Sequence, residues 1–419
     1  MKILWIVNTL FPYPAEKMNR EKTVYGGWLN SLMNSLNKSE EIKNLGIATF
    51  YNGDKLLKFV DKKIIYYVIP VKDANKYDKN SELFWKDVVN DFNPDLIHIH
   101  GTEYPFSLSC INACPNQKYC VSIQGLVSVC GQKKVYTAGI ETNDILKNIT
   151  FRDCLKFDFL FNQHKKMLKR AKYEKEILQK VNIVIGRTSW DYAYTENING
   201  NRKYYKCNES LRDSFYNNNW DYNNIEKNSI FMSQISYPLK GFHVMLKAMP
   251  KLIKEYPNLK VYIAGNNILE TKNIFDKIKF SGYAKYLKTL IKKYNLNKHI
   301  CFTGLLNEEE LCNALKKCNL FVQTSSIENS SNSLGEAMLI GMPIVASFVG
   351  GTPDMIKDKE EGLLYPFGDE VLLSKYIKDI FENIDDAILM GKKAQEHAKK
   401  THNINNNTKN IINIYKNIL

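Results

Sequence analysis

The feature that most constrains the fold is the alternation of short apolar runs with amphipathic stretches. The first half contains apolar runs that stop at glycine or at a polar turn, among them KILWIVNTL, DLIHIHG, KYCVSIQG and VNIVIGRTSWD. Continuous apolar runs of this length are typical of strands that are buried on both faces of a parallel sheet. Parallel neighbours need a crossover connection, which is usually a helix. The first half therefore predicts a doubly wound α/β domain.

A second series of strand-like runs begins after a break in this pattern. Its members are SIFMSQIS, KVYIAG, ICFTG, NLFVQTSS and PIVASF. The stretch GFHVMLKAMPKLIKEYP lies between the first two and has the period of an amphipathic helix that stops at a proline. We predict a first domain over 1–195, a linker over 196–227, a second domain over 228–395 and a C-terminal helix over 396–419 that packs back on the first domain. Two doubly wound domains place a cleft where the carboxyl ends of both sheets can meet a ligand.

The net charge and the cysteine spacing limit the kinds of binding partner and the cellular compartment that we expect. The formal net charge of +14 favours nucleotide phosphates or an anionic membrane surface, and no recognition motif for nucleic acid accompanies it. The start, MKILWIVNTLFPYP, is interrupted by Asn8 and predicts a strand rather than a signal peptide. No apolar run reaches the length of about 18 residues that a transmembrane helix needs, so we expect a cytoplasmic protein. Cys110, Cys114, Cys120 and Cys130 lack paired CxxC spacing, which favours reduced thiols over a zinc site.

Two glutamates stand eight positions apart around a loop of small polar residues. Glu328 and Glu336 flank the loop between the strand NLFVQTSS and the helical stretch LGEAMLIG. A helix N-terminus attracts phosphate, and small side chains allow a diphosphate to approach the backbone. The small residues here are Ser330, Ser331, Asn332 and Ser333. We interpret the loop as a nucleotide-sugar site, in which Glu336, in the first helical turn, accepts hydrogen bonds from a ribose diol and Glu328 meets sugar hydroxyls.

A structural interpretation of the same loop needs no ligand. Ser333 and Glu336 have the S-x-x-E spacing of a capping box, in which both side chains bind backbone N–H groups at the start of a helix. The sequence leaves both interpretations open, and both can hold at once.

The two glutamates also carry a resemblance to a known family. Their E-x7-E spacing resembles that of the retaining family 4 glycosyltransferases, and the chain resembles that family over nearly its whole length. The matching pieces are YGGW, DLIHIHG, YPLKGFHVMLKA, VYIAG, CFTG, ENSSNSLGEAMLIGMPIVAS and GGTPDMIKDKEEGLLYPFGD. Each piece is weak alone, but their order and spacing are specific. The resemblance implies the GT-B fold, two Rossmann-like domains facing a cleft, and transfer of a sugar from a nucleotide donor without a metal ion or another cofactor.

Several donor-side residues are implied by this resemblance. Lys240 matches the lysine that neutralises the donor diphosphate, where leaving-group charge develops in the transition state. Its structural alternative is a solvated lysine at a helix start. Glu328 joins it as a candidate catalytic residue. The other donor-side matches are the glycine loop Gly26 and Gly27, Thr303 and Gly304 beside the nucleoside, and Leu334 over the loop whose amides hold the donor in relatives.

Two positions depart from the pattern of the family. Gln234 stands near the place of an arginine, and Gln124 stands where many relatives have a histidine. Gln234 is kept as a donor-binding candidate, and Gln124 is kept as a catalytic candidate that can hydrogen-bond a sugar hydroxyl or the leaving oxygen. A glutamine brings no charge, however, and cannot act as a proton-transfer base. Catalysis tolerates Gln124 if the departing phosphate takes the proton of the acceptor. The alternative is a degenerate homologue that binds without turnover.

The acceptor side is assigned more loosely. His98 and His100 share one face of a strand, and His100 beside Gly101 is the candidate acceptor contact, while His98 is expected to be a satisfied core histidine. Arg187 follows another strand end, where it either faces the acceptor or pairs with Asp191 or another carboxylate. The basic stretch 164–180 can dock on anionic lipid, although a solvated charged helix is the favoured interpretation.

The combined expectation is a retaining hexosyltransferase of a bacterium. It moves a sugar from a UDP- or GDP-sugar to a glycan or polyprenyl-linked acceptor in capsule or other surface polysaccharide biosynthesis, with peripheral contact at the inner face of the cell membrane. A nucleotide-sugar epimerase or a phosphorylase of the same fold is the second hypothesis, and Gln124 argues against an epimerase. A degenerate homologue that binds a glycan or a partner protein is the third.

Overall fold

The chain divides into two compact units. The computed structural model describes residues 1–21, 26–270 and 280–419. The first unit comprises 1–129, 167–211 and 401–419, and the second comprises 130–166 and 212–400. Each unit is built around a mostly parallel sheet with helices on its faces, so the predicted doubly wound α/β class is confirmed.

In the described part of the chain the first unit contains an eight-stranded sheet of order β3-β4-β2-β1-β5-β6-β7-β8. Its strands are β1 Lys2–Ile6, β2 Asn44–Tyr51, β3 Leu57–Asp61, β4 Ile64–Pro70, β5 Leu96–His100, β6 Tyr119–Ser122, β7 Ile183–Gly186 and β8 Lys203–Lys206. All neighbours are parallel except the β3–β4 hairpin. Strands β1 and β5 are almost wholly buried, as their continuous apolar runs predict.

The second unit contains a six-stranded parallel sheet of order β11-β10-β9-β12-β13-β14. Its strands are β9 Glu226–Met232, β10 Lys260–Ala264, β11 Ile300–Gly304, β12 Cys318–Gln323, β13 Ile344–Ser347 and β14 Leu363–Tyr365. The first five coincide in place with the five runs that the sequence marks as strands, and each pair is parallel.

Helices connect the strands of both sheets. They are α1 Pro12–Lys17, α2 Gly27–Lys38, α3 Ser81–Phe92, α4 Phe106–Ala113, α5 Val127–Cys130, α6 Lys133–Tyr136, α7 Thr142–Lys147, α8 Phe151–Lys156, α9 Leu160–Lys180, α10 Ser189–Ile198, α11 Phe242–Glu255, α12 Gly282–Lys293, α13 Glu308–Lys316, α14 Asn332–Leu339, α15 Thr352–Met355, α16 Glu370–Glu382, α17 Ile384–Thr401 and α18 Ile404–Ile418. Short 3-10 turns cover Asp213–Phe215, Tyr222–Asn224, Pro238–Lys240 and Asn297–His299. Among the described residues no helix is long and apolar enough to cross a membrane.

The stretch 196–227, which the sequence predicts to be a linker, contains ordered elements of both units. It holds β8, which pairs with β7 in the first unit, and the 3-10 turns that precede β9 in the second. The C-terminal helix α18 lies in the first unit, where its Tyr415 hydroxyl accepts a hydrogen bond from Trp5 Nε1 at 3.1 Å. The 130–166 segment is grouped with the second unit, although it precedes the predicted boundary.

Both sheets have a topological switch point. In the first unit the chain runs outward from β1 to β2 and then returns to β5 on the other side. In the second unit it runs outward from β9 to β10 and β11 and then returns to β12. Ligands of doubly wound sheets bind at the carboxyl ends of the strands beside such a point. The candidate residues are therefore sought after β1, β5, β9 and β12.

Candidate functional site

At the switch point of the second unit, a half-buried lysine pairs with a carboxylate. Lys240 ends the 3-10 turn after β9, and its Nζ donates to Glu328 Oε1 at 2.6 Å. The same oxygen accepts from Ser325 Oγ at 2.6 Å. Burial acts to lower the pKa of Lys240, but the charge of Glu328 outweighs it and raises that pKa above its usual value. Lys240 is therefore a fixed cation and not the solvated lysine of the structural alternative.

Two glycines bring the backbone segments of this pair together. Gly241, next to Lys240, has a φ of 65°, and a Cβ there would lie 1.7 Å from the carbonyl oxygen of Thr324. Gly350 has a φ of 51°, and a Cβ there would lie 1.9 Å from the carbonyl oxygen of Glu328. Only glycine allows both the left-handed conformation and these close approaches. The loops that carry Lys240 and Glu328 are thus locked by backbone contact.

The small-residue loop opens α14 with a serine cap. Ser331 is the N-cap, and its Oγ accepts a hydrogen bond from the N–H of Leu334 at 3.4 Å. Since the helix begins at Asn332, Glu336 is its fifth residue and not in the first turn as predicted. The N-terminus of this helix is therefore capped by Ser331 and not by the predicted capping box of Ser333 and Glu336. The N–H groups of the first helical positions have no intrahelical partner and point to the loop side.

Glu336 is instead held by an arginine. Arg212 Nε and Nη2 donate to the two carboxylate oxygens of Glu336, each at 2.6 Å. The side chain of Glu336 is 4% exposed and that of Arg212 is 18% exposed. The pKa of Arg212 is raised by Glu336 against the opposing effect of burial. The carboxylate proposed for ribose recognition therefore has a fixed orientation, which is set by a bidentate partner.

Of the remaining donor-side candidates, Gln234, Thr303 and Gly304 lie at carboxyl ends of strands, and Leu334 lies in α14. Gln234 follows β9 and is partly exposed. Thr303 and Gly304 end β11, where Thr303 Oγ1 donates to the carbonyl of Ile263 at 3.2 Å and Gly304 has a φ of 77°. Leu334 is fully buried under the loop, so it contributes packing and backbone rather than side-chain contact.

In the first unit the glycine pair opens α2. Gly26 is the N-cap with a φ of 79°, and a Cβ there would lie 2.9 Å from Thr9 Cγ2. Gly27 is the first residue of the helix. The tyrosine of the YGGW match lies outside the described residues. The pair thus provides a left-handed entry into a helix N-terminus, which is an anion-attracting geometry.

The two histidines of β5 differ in their environment. His98 Nδ1 is 2.7 Å from the hydroxyl of Tyr415, and its Nε2 is 2.7 Å from Ser122 Oγ. Burial lowers the pKa of His98 to about 3, as expected for a satisfied core histidine. His100 is also buried, but neither of its ring nitrogens has a partner in the described part of the chain. Its imidazole lines a cavity together with Trp28, Arg187, Asn208, Glu209 and Ser210.

Arg187 and Gln124 converge on one carboxylate at this cavity. Arg187 forms an ion pair with Glu209 and donates from Nη2 to the carbonyl of Ile123 at 2.7 Å. Gln124 Nε2 donates to the other oxygen of Glu209 at 2.6 Å. The ion pair foreseen as the alternative for Arg187 is thus formed, with Glu209 as its carboxylate. Asp191 instead accepts from the backbone N–H of Arg187 at 2.9 Å and from the hydroxyl of Tyr204 at 2.6 Å.

Another carboxylate, that of Glu103, lies at the switch point of the first unit. Glu103 follows β5, and its Oε2 accepts from Asn8 Nδ2 at 3.1 Å while its Oε1 accepts from the N–H of Gly125 at 3.2 Å. A Cβ at Gly101 would lie 2.2 Å from Glu103 Oε2. Burial raises the pKa of Glu103 to about 7, assisted by the charge of Glu174. Glu103 therefore exchanges its proton near neutral pH at the carboxyl edge of this sheet.

Sequence reasoning missed three of these residues. Arg212 and Glu209 lie in the aperiodic stretch that is predicted to be a linker, and no local pattern links them to Glu336 or Arg187. Glu103 stands two residues after the glycine that ends a buried strand, which is a position where a polar residue invites a functional hypothesis.

Comparison with known proteins gives a family match. Residues 218–400 match the family described as "Glycosyl transferases group 1". Over 328 residues the chain is 22% identical to "Putative glycosyltransferase YtcC" of Bacillus subtilis, an alignment that covers 78% of this chain and 73% of that protein. Alignments with the next two relatives cover less than half of their lengths.

Solved structures with the same fold cover the whole chain. A sucrose-phosphate synthase from Thermosynechococcus elongatus is similar with a TM-score of 0.74 at 16% identity, covering 99% of this chain and 98% of that one. The Anabaena protein Alr3699/HepE, in complex with UDP and glucose, is similar with a TM-score of 0.69 at 14% identity, covering 99% of both chains. At these identities the likeness shows the fold alone.

Proposed function

We propose that this glycosyltransferase of the GT-B fold, whose residues 218–400 match the glycosyl transferases group 1 family, is a retaining hexosyltransferase that uses a nucleotide sugar. The recognised resemblance and the GT-B fold are confirmed, while the assignment to family 4 remains a prediction. The donor is a UDP- or GDP-sugar, and the acceptor is a glycan or a polyprenyl-linked sugar of surface polysaccharide synthesis.

The observation that carries this proposal is the fixed Lys240–Glu328 pair at the switch point of the second unit. An ammonium group has three N–H donors, and Glu328 takes one of them. No other described residue accepts a hydrogen bond from this group, so its remaining donors are available to phosphate oxygens at the edge of the sheet where α14 begins. A preorganised cation acts where negative charge develops, and it needs no rearrangement when the bond breaks.

In the proposed reaction the bond between the anomeric carbon and the phosphate oxygen breaks, and its electron pair stays on the diphosphate. The acceptor hydroxyl oxygen bonds the anomeric carbon on the same face, and its proton passes to the departing phosphate. Lys240 stabilises the charge of that phosphate. This route assigns no proton transfer to Gln124, whose amide is engaged with Glu209.

Donor recognition is divided between the start and the middle of α14. Glu336, oriented by Arg212, accepts hydrogen bonds from the ribose hydroxyls, and the amides at the start of the helix meet the diphosphate. UDP is the first nucleotide to test, because the similar HepE structure contains UDP and glucose. His100 and Glu103 in the first unit are the groups proposed for acceptor hydroxyls.

The experiment is a thermal-shift series on the purified full chain with UDP, GDP, ADP and their hexose conjugates. A ligand at about 100 times its Kd adds roughly 2.7 kcal/mol, which a melting curve resolves. We expect a shift with one base only, which Lys240→Met reduces. Lys251→Met, which removes an exposed lysine of α11, is the matched control.

The second candidate is a degenerate homologue that binds a glycan or partner without turnover. Its support is Gln234 in place of an arginine and the engagement of Gln124 with Glu209. Absence of a shift with every nucleotide would overturn the transferase proposal in favour of this one. A shift without sugar release, with water or a lipid extract as acceptor, would support a binding protein that retains the donor site.

A further inference from the structure

Four apolar side chains are exposed on α7, on α8 and directly after α8. Leu146 is 51% exposed, Phe151 68%, Leu155 59% and Phe157 74%. Phe151 and Leu155 are four positions apart on α8, so they share one face of that helix. We call these four residues the apolar corner. Single exposed apolar residues are ordinary on a surface, but here four of them are concentrated within twelve positions.

Phe157 occupies a backbone position that usually belongs to glycine or asparagine. It ends α8 with a φ of 46°, in the left-handed region. A bulky residue is an outlier in this conformation. The ring lies mostly in solvent, so packing within the chain does not account for an aromatic residue here.

The apolar corner is held in place by polar contacts beneath it. Thr150 and Asp153 form a capping box at the start of α8, with bonds of 3.3 and 3.0 Å. Lys285 Nζ of α12 donates to the carbonyl of Ile149 at 3.0 Å. The exposed side chains are therefore presented by an anchored element of the second unit.

Basic side chains outnumber acidic ones in the segment of the apolar corner and in helix α12, whose Lys285 contacts that segment. Residues 142–157 and 282–293 together carry seven basic and two acidic side chains. The basic ones are Lys147, Arg152, Lys156, Lys285, Lys288, Lys292 and Lys293. One of the two acids, Asp153, is buried in the capping box. Arg152 is paired with Asp153 and with Asp158, so the excess of positive charge in this region is carried by the lysines.

We propose that the apolar corner and the lysines beside it dock this protein on an anionic lipid surface. Phe151, Leu155 and Phe157 enter the headgroup region, and the lysines meet lipid phosphates. A protein partner would also cover exposed apolar side chains, but an excess of lysines over acids matches a surface of anionic headgroups. The sequence alone suggests membrane contact at 164–180, whereas the most exposed apolar side chains precede that stretch.

The test is co-sedimentation of the full chain with vesicles of phosphatidylcholine alone and of phosphatidylcholine mixed with phosphatidylglycerol. We expect binding that requires phosphatidylglycerol and weakens as salt is added. The double variant Phe151→Ser, Phe157→Ser should lower the partition coefficient about tenfold, because two aromatic side chains no longer enter the interface. The matched control is Val371→Ser, Leu389→Ser, two exposed apolar residues of α16 and α17, which should bind like the wild type.

Three results would overturn the proposal. They are no binding to phosphatidylglycerol vesicles, equal binding of the Phe151→Ser, Phe157→Ser variant, and self-association in sedimentation velocity that this variant abolishes. The last result would make the corner an interface between copies of the chain. The nucleotide thermal shift of the same variant reports on fold and donor binding separately, so the failure of one proposal does not decide the other.

Discussion

Arg212 and Glu336 form a bidentate ion pair, with both bonds at 2.6 Å, although they are 124 positions apart in the chain. Arg212 precedes the first strand of the second sheet, and Glu336 lies within α14. The pair connects the segment that precedes β9 to the helix that follows the small-residue loop. The orientation of a proposed ribose-binding carboxylate thus depends on a residue that no loop motif contains.

Removal of Arg212 should destabilise the second unit strongly. Arg212→Met leaves the buried Glu336 carboxylate without its partner, which typically costs about 3–5 kcal/mol. The double variant Arg212→Met, Glu336→Leu should recover much of this loss, since no unpaired charge remains. Urea unfolding of the two single variants and the double variant measures the coupling. Simple addition of the two single effects would show that the pair contributes little.

The cap of α14 distinguishes two neighbouring serines. Ser331→Ala should lower the free energy of unfolding by about 1 kcal/mol, because its Oγ accepts from the N–H of Leu334. Ser333→Ala should change it by only a few tenths, since Ser333 is a helical residue and not the N-cap. Chemical denaturation of both variants is the measurement. A larger loss of stability for Ser333→Ala than for Ser331→Ala would instead support the capping box of Ser333 and Glu336.

Sequence reasoning predicts the fold well because its signals are local. Ile230, Val261 and Leu320 each begin a short stretch of consecutive apolar residues, and such stretches become the buried strands of a parallel sheet. The carboxyl ends of parallel strands meet at one edge of the sheet. Lys240 and Glu328 each follow such a run, so their presence near the same edge can be predicted from the order of the strands alone.

Pairing partners could not be predicted in the same way. Arg212–Glu336 and Arg187–Glu209 join residues through tertiary structure, and a stretch without periodicity gives no register for them. The helix start at Asn332 is also ambiguous in the sequence, because consecutive serines and asparagines are all good N-caps. The sequence therefore identifies the loop but not which of its residues is the N-cap of the helix.

Lys240 should affect turnover more than binding. Lys240→Met removes a cation that acts on the leaving diphosphate, and loss of one preorganised charge or donor typically lowers kcat by about 10²–10³. Lys240→Arg should retain part of the rate, because the charge remains while the geometry differs. Steady-state kinetics with the donor found by thermal shift separates kcat from KM. An increase in KM with kcat unchanged would assign Lys240 to uniform donor binding instead.

Glu103 should make stability depend on pH in a defined direction. Its pKa is raised from 4.5 to about 7 in the folded chain. Between these values the folded state holds a proton that the unfolded state has released, so this contribution to stability falls as pH rises and is constant above about pH 7.

Glu103→Gln removes that contribution while keeping a hydrogen-bonding side chain of the same shape. The stability of Glu103→Gln relative to wild type should therefore increase by about 2–3 kcal/mol between roughly pH 4.5 and 7 and then level off. Urea unfolding of both proteins at several pH values in this range gives the difference directly. A difference that does not change with pH would mean that Glu103 titrates at its ordinary pKa and is not the proton-exchanging group at this edge of the sheet.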